Sequence, residues 1–457
     1  MKSRRSLAGG NGRGYIVSLR NEAMRLRTVL QKATTSLLLI VLVALGARMG
    51  FAWNQARKMP AQALGVVPFQ NEAGNIAYAL AQGNGFSNVF RMETGPTAWL
   101  APVYPVILGA IFRLCGAFTA GAFFAAVMFN ILCSAATCVP IFLTGKRVWG
   151  TGVGAGAAWL WAIFPNGILI PFEWIWDTSL AAFLAALILW ATLELQESDR
   201  WSDWCVYGVL WGVTLLTNPA VGALLPFLLG WAALRGRGES RQRWERAALA
   251  AGVIILCCVP WSIRNYAAFH RWIPLRSNLP YELWSGNNDV FDPDARTGRR
   301  VMTRMEEVRR YATLGEPAFM DEKREEALAF MGSHAALELR LTWRRFLSFW
   351  VGTDAPWKNF MATDSWLIRV ILLANGLTAL GALVGIAALW RRNRGMGMVV
   401  PLAVYPLIFP LLYYVTHAQL RLRHPIDPVV LVLTAIAAAG VMERLRKKRV
   451  QQDLPGG

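Results

Sequence analysis

The chain has 457 residues, of which 55% are hydrophobic and 16% are charged, whereas soluble domains carry about 25% charged residues. Several apolar runs approach the ~20 residues that span a bilayer, which excludes an ordinary soluble protein and predicts an all-α, polytopic membrane protein. The net charge of +19 could indicate nucleic acid binding. The basic residues, however, form blocks at the ends of apolar runs, as the positive-inside rule describes, so we expect membrane lipids and no nucleic acid as partners.

Taken in chain order, residues 1–33 form a basic arm that we expect in the cytoplasm. About ten transmembrane helices follow, at residues 35–53, 119–144, 150–170, 176–195, 203–218, 219–235, 247–264, 366–390, 397–415 and 426–443. Basic blocks follow the second, fourth, sixth, eighth and last of them, and all share the arm's side of the membrane when ten helices cross. We therefore predict an integral protein of the bacterial inner membrane with both termini in the cytoplasm.

This topology divides the rest of the chain into four parts. They are an N-terminal transmembrane module (34–264) with a first outer loop (54–118), a long, partly helical outer (periplasmic) loop (265–365), a C-terminal transmembrane module (366–444) and a cytoplasmic tail (445–457). If the apolar segment 99–116 crossed, every later basic block would lie outside, so we predict an interfacial or re-entrant helix there. The acidic residues of the long loop are interpreted as solvated helix faces.

The first outer loop has the pattern of a short amphipathic helix. Asn71 suits the N-cap and Gly83 the C′ position, and one apolar face is formed by Ala73, Ile76, Ala77 and Leu80. Glu72 falls in the first turn, where the helix dipole favours its ionised form. It could act as a general base towards a hydroxyl or amine, or it could simply complement the dipole.

A second pair of carboxylates lies in the stretch "PFEWIWDTS". Glu173 and Asp177 are four residues apart there, and they share a helical face if the next helix begins early. Asp177 could be the N-cap of the fourth span, or it could belong to an active site. The sequence leaves both readings open.

Two arginine-rich segments are predicted on the same outer face as these carboxylates. We interpret five of their residues as ligands of a phosphate group, since arginine suits a bidentate grip on phosphate: Arg264, Arg276, His417, Arg421 and Arg423. Snorkelling towards lipid headgroups is the alternative. Further candidate substrate contacts are Asn75, Tyr78, Thr97, Tyr104 and Glu173. The four scattered histidines show no metal-ligand spacing. A divalent metal cofactor is therefore kept as an option, but no ligands are assigned to it.

Several boxes occur in a characteristic order. The acidic head of the first outer-loop helix precedes "PTAWLAPVYP" and a helix ending in "FRLCG", then come "VPWSIRNYAAFHRWIPLRSN" and "NLPYELWSGNN", and "RLRHPIDP" precedes the last span. This order resembles the C-type integral membrane glycosyltransferases, in the branch with protein O-mannosyltransferase-like and lipid A aminoarabinose transferase-like members. The resemblance covers most of the chain, from about residue 35 to residue 444.

The resemblance implies a donor sugar on a polyprenyl phosphate and a base in the first outer loop. These roles then fall on Glu72, where the family usually has Asp, on Asp177, and on Arg421 and Arg423 near the donor phosphate. The implied reaction is an inverting transfer to a hydroxyl or amine of a lipid, glycan or protein acceptor on the outer face. A multi-span lipid or solute transporter or flippase is the alternative; it would need inverted repeats and ionisable residues at mid-membrane depth, and neither is clear in the sequence.

Overall fold

The computed structural model describes residues 34–90, 92–288, 305–393 and 397–452. Within these residues the chain forms helices and loops, together with a single β-bridge between Ser87 and Pro96. The predicted all-α, polytopic class is confirmed. The predicted basic arm (1–33) and the last five residues of the predicted tail lie outside the described residues.

The helices fall into three groups along the chain. The first group is α1 (Leu37–Ala56), α2 (Ala61–Val66), α3 (Glu72–Ala81), α4 (Val103–Cys115), α5 (Ala120–Ala136), α6 (Cys138–Val148), α7 (Thr151–Ile163), α8 (Pro165–Glu173), α9 (Thr178–Leu195), α10 (Trp201–Leu215), α11 (Leu225–Arg235) and α12 (Ser240–Phe269). The long outer loop holds α13 (Leu279–Gly286), α14 (Met305–Leu314), α15 (Glu316–Ser333), α16 (Ala335–Val351) and α17 (Pro356–Ala362). The last group is α18 (Trp366–Asn393), α19 (Val399–Ile408), α20 (Leu411–Val415), α21 (Leu420–Arg423) and α22 (Asp427–Gln452). Short 3₁₀ helices occupy Val67–Phe69, Pro219–Leu224 and His424–Ile426.

Among the described residues, six helices are long and apolar enough to cross a membrane. A seventh candidate is the pair α7 and α8, which is bent by 45°. The protein is therefore an integral membrane protein. Three of the ten predicted spans (203–218, 219–235 and 397–415) fall on shorter helices, so the count of ten remains a prediction.

Helix α4 occupies most of the segment for which an interfacial or re-entrant helix is predicted. Its 13 residues rise roughly 20 Å, which is less than the ~30 Å hydrocarbon core of a bilayer. Helix α4 packs closely on α3, and Gly109 permits this approach. A Cβ atom added at Gly109 would lie only 3.1 Å from Leu80 Cβ. This length agrees with a helix that does not cross.

Two hydrophobic cores hold the helices together. The larger core packs the long apolar helices against one another. Close approach inside it requires small residues: a Cβ atom at Gly385 of α18 would lie 2.0 Å from the carbonyl oxygen of Leu433 in α22. The second core joins the first outer loop to the long outer loop, and the ring centroids of Trp99 and Tyr281 lie 4.8 Å apart in it. The two outer loops thus form one packed unit.

Arg48 is a buried cation in the first spanning helix, and the sequence analysis did not single it out. The break between α7 and α8 explains its place, because Pro165 has no N–H to donate to the carbonyl of Trp161. The Arg48 guanidinium donates instead to the carbonyls of Trp161 and Ala162, each at 3.1 Å, and to Ser134 Oγ at 2.8 Å. Arg48 therefore satisfies the main chain at the bend and ties α1 to α5 and α7.

We expect Arg48→Met to lower the thermal stability of the purified protein. The variant keeps an unbranched side chain of similar length but removes the charged donor from the carbonyls of Trp161 and Ala162, and Trp161 keeps a 3.4 Å hydrogen bond from the N–H of Phe164; each lost bond to a charged donor costs about 1.5–3 kcal/mol. Unfolding followed by intrinsic tryptophan fluorescence in detergent measures the effect, and Arg57→Met, at the exposed end of the same helix, is the control. Equal melting temperatures for wild type and Arg48→Met would contradict the role given to this residue.

Candidate functional site

The first outer loop forms the helix that its sequence predicts. Helix α3 begins after Asn71, whose side-chain oxygen accepts a hydrogen bond from the N–H of Gly74 at 2.9 Å. Gly83 follows the end of the helix with φ +84°, a conformation that glycine adopts without strain. Ala73, Ile76 and Ala77 are buried and Leu80 is half-buried. Glu72 lies in the first turn, off this apolar face, and is half-buried.

A cavity of about 1800 Å³ opens beside the start of α3. Its walls come from both ends of the sequence: residues 67–72, the turn between α8 and α9, helices α13 and α16, and residues 416–422. Six of the twelve predicted site residues line it: Glu72, Glu173, Asp177, Arg276, His417 and Arg421. The fold thus brings carboxylates from the first half of the chain to cations from the second half, on one side of the molecule.

Asp177 occupies the N-cap position of α9 but does not cap the helix. Its side chain makes no capping hydrogen bond; it accepts a hydrogen bond of 3.1 Å from Asn218 Nδ2 instead. Burial raises the pKa of Asp177 to about 6, although the charges of Arg276 and Arg421 and the Asn218 hydrogen bond act to lower it. The carboxylate is therefore held by Asn218, away from the helix end, within reach of the cations' charge. Helix α8 ends at Glu173 and α9 begins at Thr178, so Glu173 and Asp177 do not share a helical face.

Arg421 is held against the turn that carries Asp177. Its guanidinium carbon lies 4.4 Å from the ring centroid of Trp174 and 5.3 Å from that of Trp176, which is the geometry of a cation–π contact. Its Nε also donates to Gln419 Oε1 at 3.3 Å. These contacts hold the cation of Arg421 at the wall of the cavity that Asp177 also lines.

His417 lies beside Glu282, a cavity residue that sequence reasoning missed. The imidazole Nδ1 is 3.4 Å from Glu282 Oε2. Burial lowers the pKa of His417; Glu282 opposes this change, while Arg421 and Arg345 add to it. Since a neutral imidazole is a weak partner for an anion, this environment does not suit the phosphate contact predicted for His417. No sequence signal links the two residues, which lie on α13 and before α21.

Arg423 does not line the cavity. It is completely buried, and its Nε lies 2.7 Å from Asp427 Oδ1. It also donates to the carbonyl of Asn375 at 3.2 Å and to Thr378 Oγ1 at 2.8 Å. Arg423 therefore pins α21 and α22 to α18, and the structure gives no support to the donor-phosphate contact predicted for it.

Arg264 likewise holds the fold and does not face the cavity. Its guanidinium donates to the carbonyls of Phe86 and Thr97, at 2.7 Å for the latter, and lies 5.1 Å from the ring centroid of Trp261. It fastens the first outer loop to the end of α12. The predicted phosphate contact of Arg264 has no counterpart in this arrangement.

The remaining predicted substrate contacts are also engaged elsewhere. Asn75 donates to the carbonyl of Val89 at 2.9 Å, and the Tyr104 hydroxyl donates to Asn130 Oδ1 at 3.1 Å. Tyr78 is exposed, with its ring 5.1 Å from that of Phe118. Thr97 is buried and donates to Glu316. None of the four lines the cavity.

Glu316 is a buried carboxylate that sequence reasoning placed among solvated helix faces, and that interpretation is wrong for this residue. It is 3% exposed. Its oxygens accept hydrogen bonds from the N–H of Ala98 at 2.8 Å, Ser277 Oγ at 2.6 Å and the Tyr311 hydroxyl at 2.6 Å, besides Thr97. Burial, and then the Glu316 charge, raise the pKa of Tyr311 well above its ordinary value, so the tyrosine stays protonated and donates. Glu316 thereby clasps the two outer loops together next to the cavity residue Trp99.

The described residues do not supply a ligand set for the divalent metal that the sequence analysis allowed for. Among them, no group of three or more His, Cys, Asp or Glu side chains could hold a metal ion. Glu72 and Asp177 both line the cavity, but the charges of Arg276 and Arg421 already act on Asp177. We therefore assign no chemistry to a metal at this site.

Comparison with known proteins identifies the fold. Residues 100–263 match the family model described as dolichyl-phosphate-mannose-protein mannosyltransferase. The fold matches the archaeal oligosaccharyltransferase AglB from Archaeoglobus fulgidus, solved with an inhibitory peptide and a dolichol-phosphate, with a TM-score of 0.57 and 15% identity over 92% of this chain and 51% of that one. The chain has the fold of a C-type glycosyltransferase. The predicted resemblance is thereby confirmed.

Two further structures extend the comparison. The apo form of the Archaeoglobus fulgidus oligosaccharyltransferase matches with a TM-score of 0.54 and 13% identity over 91% of this chain and 51% of that one. ArnT from Cupriavidus metallidurans bound to undecaprenyl phosphate aligns less closely, with a TM-score of 0.35 and 15% identity over 91% of this chain and 78% of that one. Among curated protein sequences none matches. The chain spans about half the length of the archaeal oligosaccharyltransferases that it matches.

We expect Glu316→Gln to loosen the contact between the two outer loops. A carboxamide has one acceptor oxygen in place of two, so its NH₂ group would face one pair of donors, either Ala98 and Ser277 or Thr97 and Tyr311. Hydrogen–deuterium exchange should then increase in residues 86–100 and 305–320, with little change in the spanning helices. Glu325→Gln, on the exposed side of the same helix, is the matched control. Unchanged exchange in both outer segments of the Glu316 variant would contradict the clasp.

Proposed function

We propose that the protein is a membrane glycosyltransferase that moves a sugar from a polyprenyl phosphate to a hydroxyl or amine acceptor at the outer face of the membrane. The observation that carries this proposal is the shared cavity of Glu72, Asp177, Arg276 and Arg421. In this proposal a base and two phosphate ligands surround one space. The mannosyltransferase family match over residues 100–263 supports the same chemistry, and the similar archaeal oligosaccharyltransferase structure holds a dolichol-phosphate.

Arg421 and Arg276 are the proposed ligands of the donor phosphate. Arginine suits this role because its planar donor fork matches two phosphate oxygens and its charge persists in a poorly solvated site. The ionised Asp177 lies near both arginines and would orient them. When polyprenyl phosphate leaves, its phosphate oxygen gains negative charge, and the two guanidinium groups would stabilise that charge in the transition state.

Glu72 is the proposed general base. The acceptor oxygen or nitrogen attacks the anomeric carbon and forms the new glycosidic bond, while its proton passes to the Glu72 carboxylate. The bond between the anomeric carbon and the phosphate oxygen breaks, and its electron pair leaves with polyprenyl phosphate. One direct displacement inverts the anomeric configuration. The helix dipole at the start of α3 favours the ionised form that the base requires before attack.

The cavity also offers a place for a lipid chain. Part of its wall consists of apolar side chains of the spanning helices, namely Phe123 of α5, Phe172 of α8, and Ile368 and Leu372 of α18. A polyprenyl chain could lie against these residues within the bilayer while its phosphate reaches the arginines. This combination of an apolar wall and a charged wall suits a donor that is half lipid and half anion.

We expect Glu72→Gln to reduce transfer by about 10²- to 10⁴-fold, the usual contribution of a general base. The assay uses purified protein in liposomes, a panel of polyprenyl-phosphate sugars and a mixed set of acceptors, and Glu93→Gln in the same outer loop is the matched control. The variant should still bind the donor, because the phosphate ligands are unchanged. Full activity of Glu72→Gln would remove this residue from the mechanism; donor lipid moved across the bilayer without sugar transfer would favour a flippase.

The raised pKa of Asp177 predicts an acidic limb in the pH profile of the wild-type enzyme. With a pKa of about 6, the carboxylate is mostly ionised at pH 7 and becomes neutral as the pH falls through 6, so the two arginines lose their orienting charge. We expect kcat/KM to fall below about pH 6. Asp177→Asn is neutral at every pH, so its activity should be low throughout and should lack that limb. An unchanged limb in Asp177→Asn would assign the titration to another group.

A further inference from the structure

We propose that His417, Glu282 and Ser285 form the subsite that holds the sugar of the donor through hydrogen bonds to its hydroxyl groups. This inference rests on the function proposed above and assigns a ligand to a part of the cavity that the transfer step does not use. All three residues line the cavity.

The three side chains form an ordered cluster. Asn278 Nδ2 donates to Glu282 Oε1 at 2.8 Å, which fixes one carboxylate oxygen, while Oε2 faces His417 Nδ1 at 3.4 Å. Ser285 Oγ lies 3.5 Å from the same Nδ1. Glu282 and Ser285 are three residues apart on α13, so both project from one face of that helix.

The contact between α13 and the segment before α21 is built into the fold. A Cβ atom at Gly286 would lie 2.0 Å from the carbonyl oxygen of Thr416, so only glycine allows this approach. Asn287 Nδ2 donates to the carbonyl of Val415 at 2.9 Å. Arg345 donates both to the carbonyl of Gly286 at 2.6 Å and to that of Val415 at 3.1 Å. The position of His417 opposite Glu282 is thus set by several independent contacts.

This arrangement gives the imidazole a defined hydrogen-bonding role. Burial and the charges of Arg421 and Arg345 favour the neutral ring, and a carboxylate facing Nδ1 favours the tautomer with the proton there. Nε2 is then a hydrogen-bond acceptor. The carboxylate oxygens of Glu282 and the hydroxyl oxygen of Ser285 have remaining lone pairs that can also accept hydrogen bonds. Sugar hydroxyl groups are the matching donors.

The cluster adjoins the proposed phosphate ligands. His417 comes four residues before Arg421 and both line the cavity, and the charge of Arg421 acts on both Asp177 and His417. A sugar is bonded directly to the phosphate in the donor, and the side chains next to the phosphate ligand therefore meet the sugar. Trp99 and Tyr281 also line this cavity.

Binding measurements test the subsite separately from turnover. Wild type, His417→Asn, Glu282→Gln and Arg421→Ala are titrated in nanodiscs with a panel of polyprenyl-phosphate hexoses and pentoses, and with polyprenyl phosphate that bears no sugar. We expect wild type to bind at least one glycosylated carrier more tightly than the bare carrier. His417→Asn and Glu282→Gln should weaken that glycosylated carrier by roughly tenfold or more, the effect of one hydrogen bond to a charged group, and leave the bare carrier unchanged. Arg421→Ala should weaken both.

Two controls make the outcome decisive. His334→Asn and Glu325→Gln, outside the cavity, should bind like wild type, and equal melting temperatures show that the cavity variants are folded. The chain has four histidines, so ¹⁵N-histidine NMR can assign His417 by its loss in His417→Asn and should show a neutral ring that responds to the glycosylated carrier. If wild type prefers no glycosylated carrier, or if both cavity variants keep that preference, the sugar subsite is overturned while the transfer function can stand. If wild type binds no polyprenyl phosphate at all, the proposed function itself fails.

Discussion

The site depends on one electrostatic arrangement: Asp177, Arg276 and Arg421 line one cavity, and the charges of both arginines act on the carboxylate. These residues come from the turn before α9, the long outer loop and the segment before the last spanning helix. All three side chains are half-buried, and opposite charges on a poorly solvated wall stabilise one another. The stack of Arg421 on Trp174 and Trp176 fixes the direction of its guanidinium, so the cations keep their positions and can receive an anion.

The fold keeps this arrangement in place through polar contacts that are themselves buried. Glu316 joins the two outer loops, Arg345 and Gly286 bring α13 to His417, and Arg423 fixes α21 to α18. Such groups stabilise a structure only when their hydrogen bonds are satisfied. These contacts therefore fix one arrangement of the outer loops as well as stabilising it. The cavity residues on those loops are held in position as a result. The cavity's apolar wall, formed by spanning helices, adds the surface that a lipid-borne donor requires.

Local features of this protein could be predicted from the sequence because they depend on neighbouring residues. The N-cap Asn71, the apolar face of α3 and the terminal Gly83 all follow from spacing and backbone conformation. Arg421 and Arg423 show the limit: they are two residues apart, about 200° around a helix, and only the packing of α18 decides which one is buried. Glu282 and Glu316 could not be recognised because their partners lie far away in sequence. Asp177 left two readings open in the sequence; it stands at the N-cap position, but its side chain accepts a hydrogen bond from Asn218, which lies far along the chain, and does not cap the helix.

A structure determined with a non-hydrolysable polyprenyl-phosphate sugar bound in a lipid nanodisc tests the central claim most directly. We expect the phosphate oxygens within hydrogen-bond distance of Arg421 and Arg276, with the anomeric carbon on the side of the cavity where Glu72 lies. A phosphate bound away from both arginines would contradict the shared site on which the proposed transfer depends. So would an anomeric carbon placed where an acceptor next to Glu72 could not attack it.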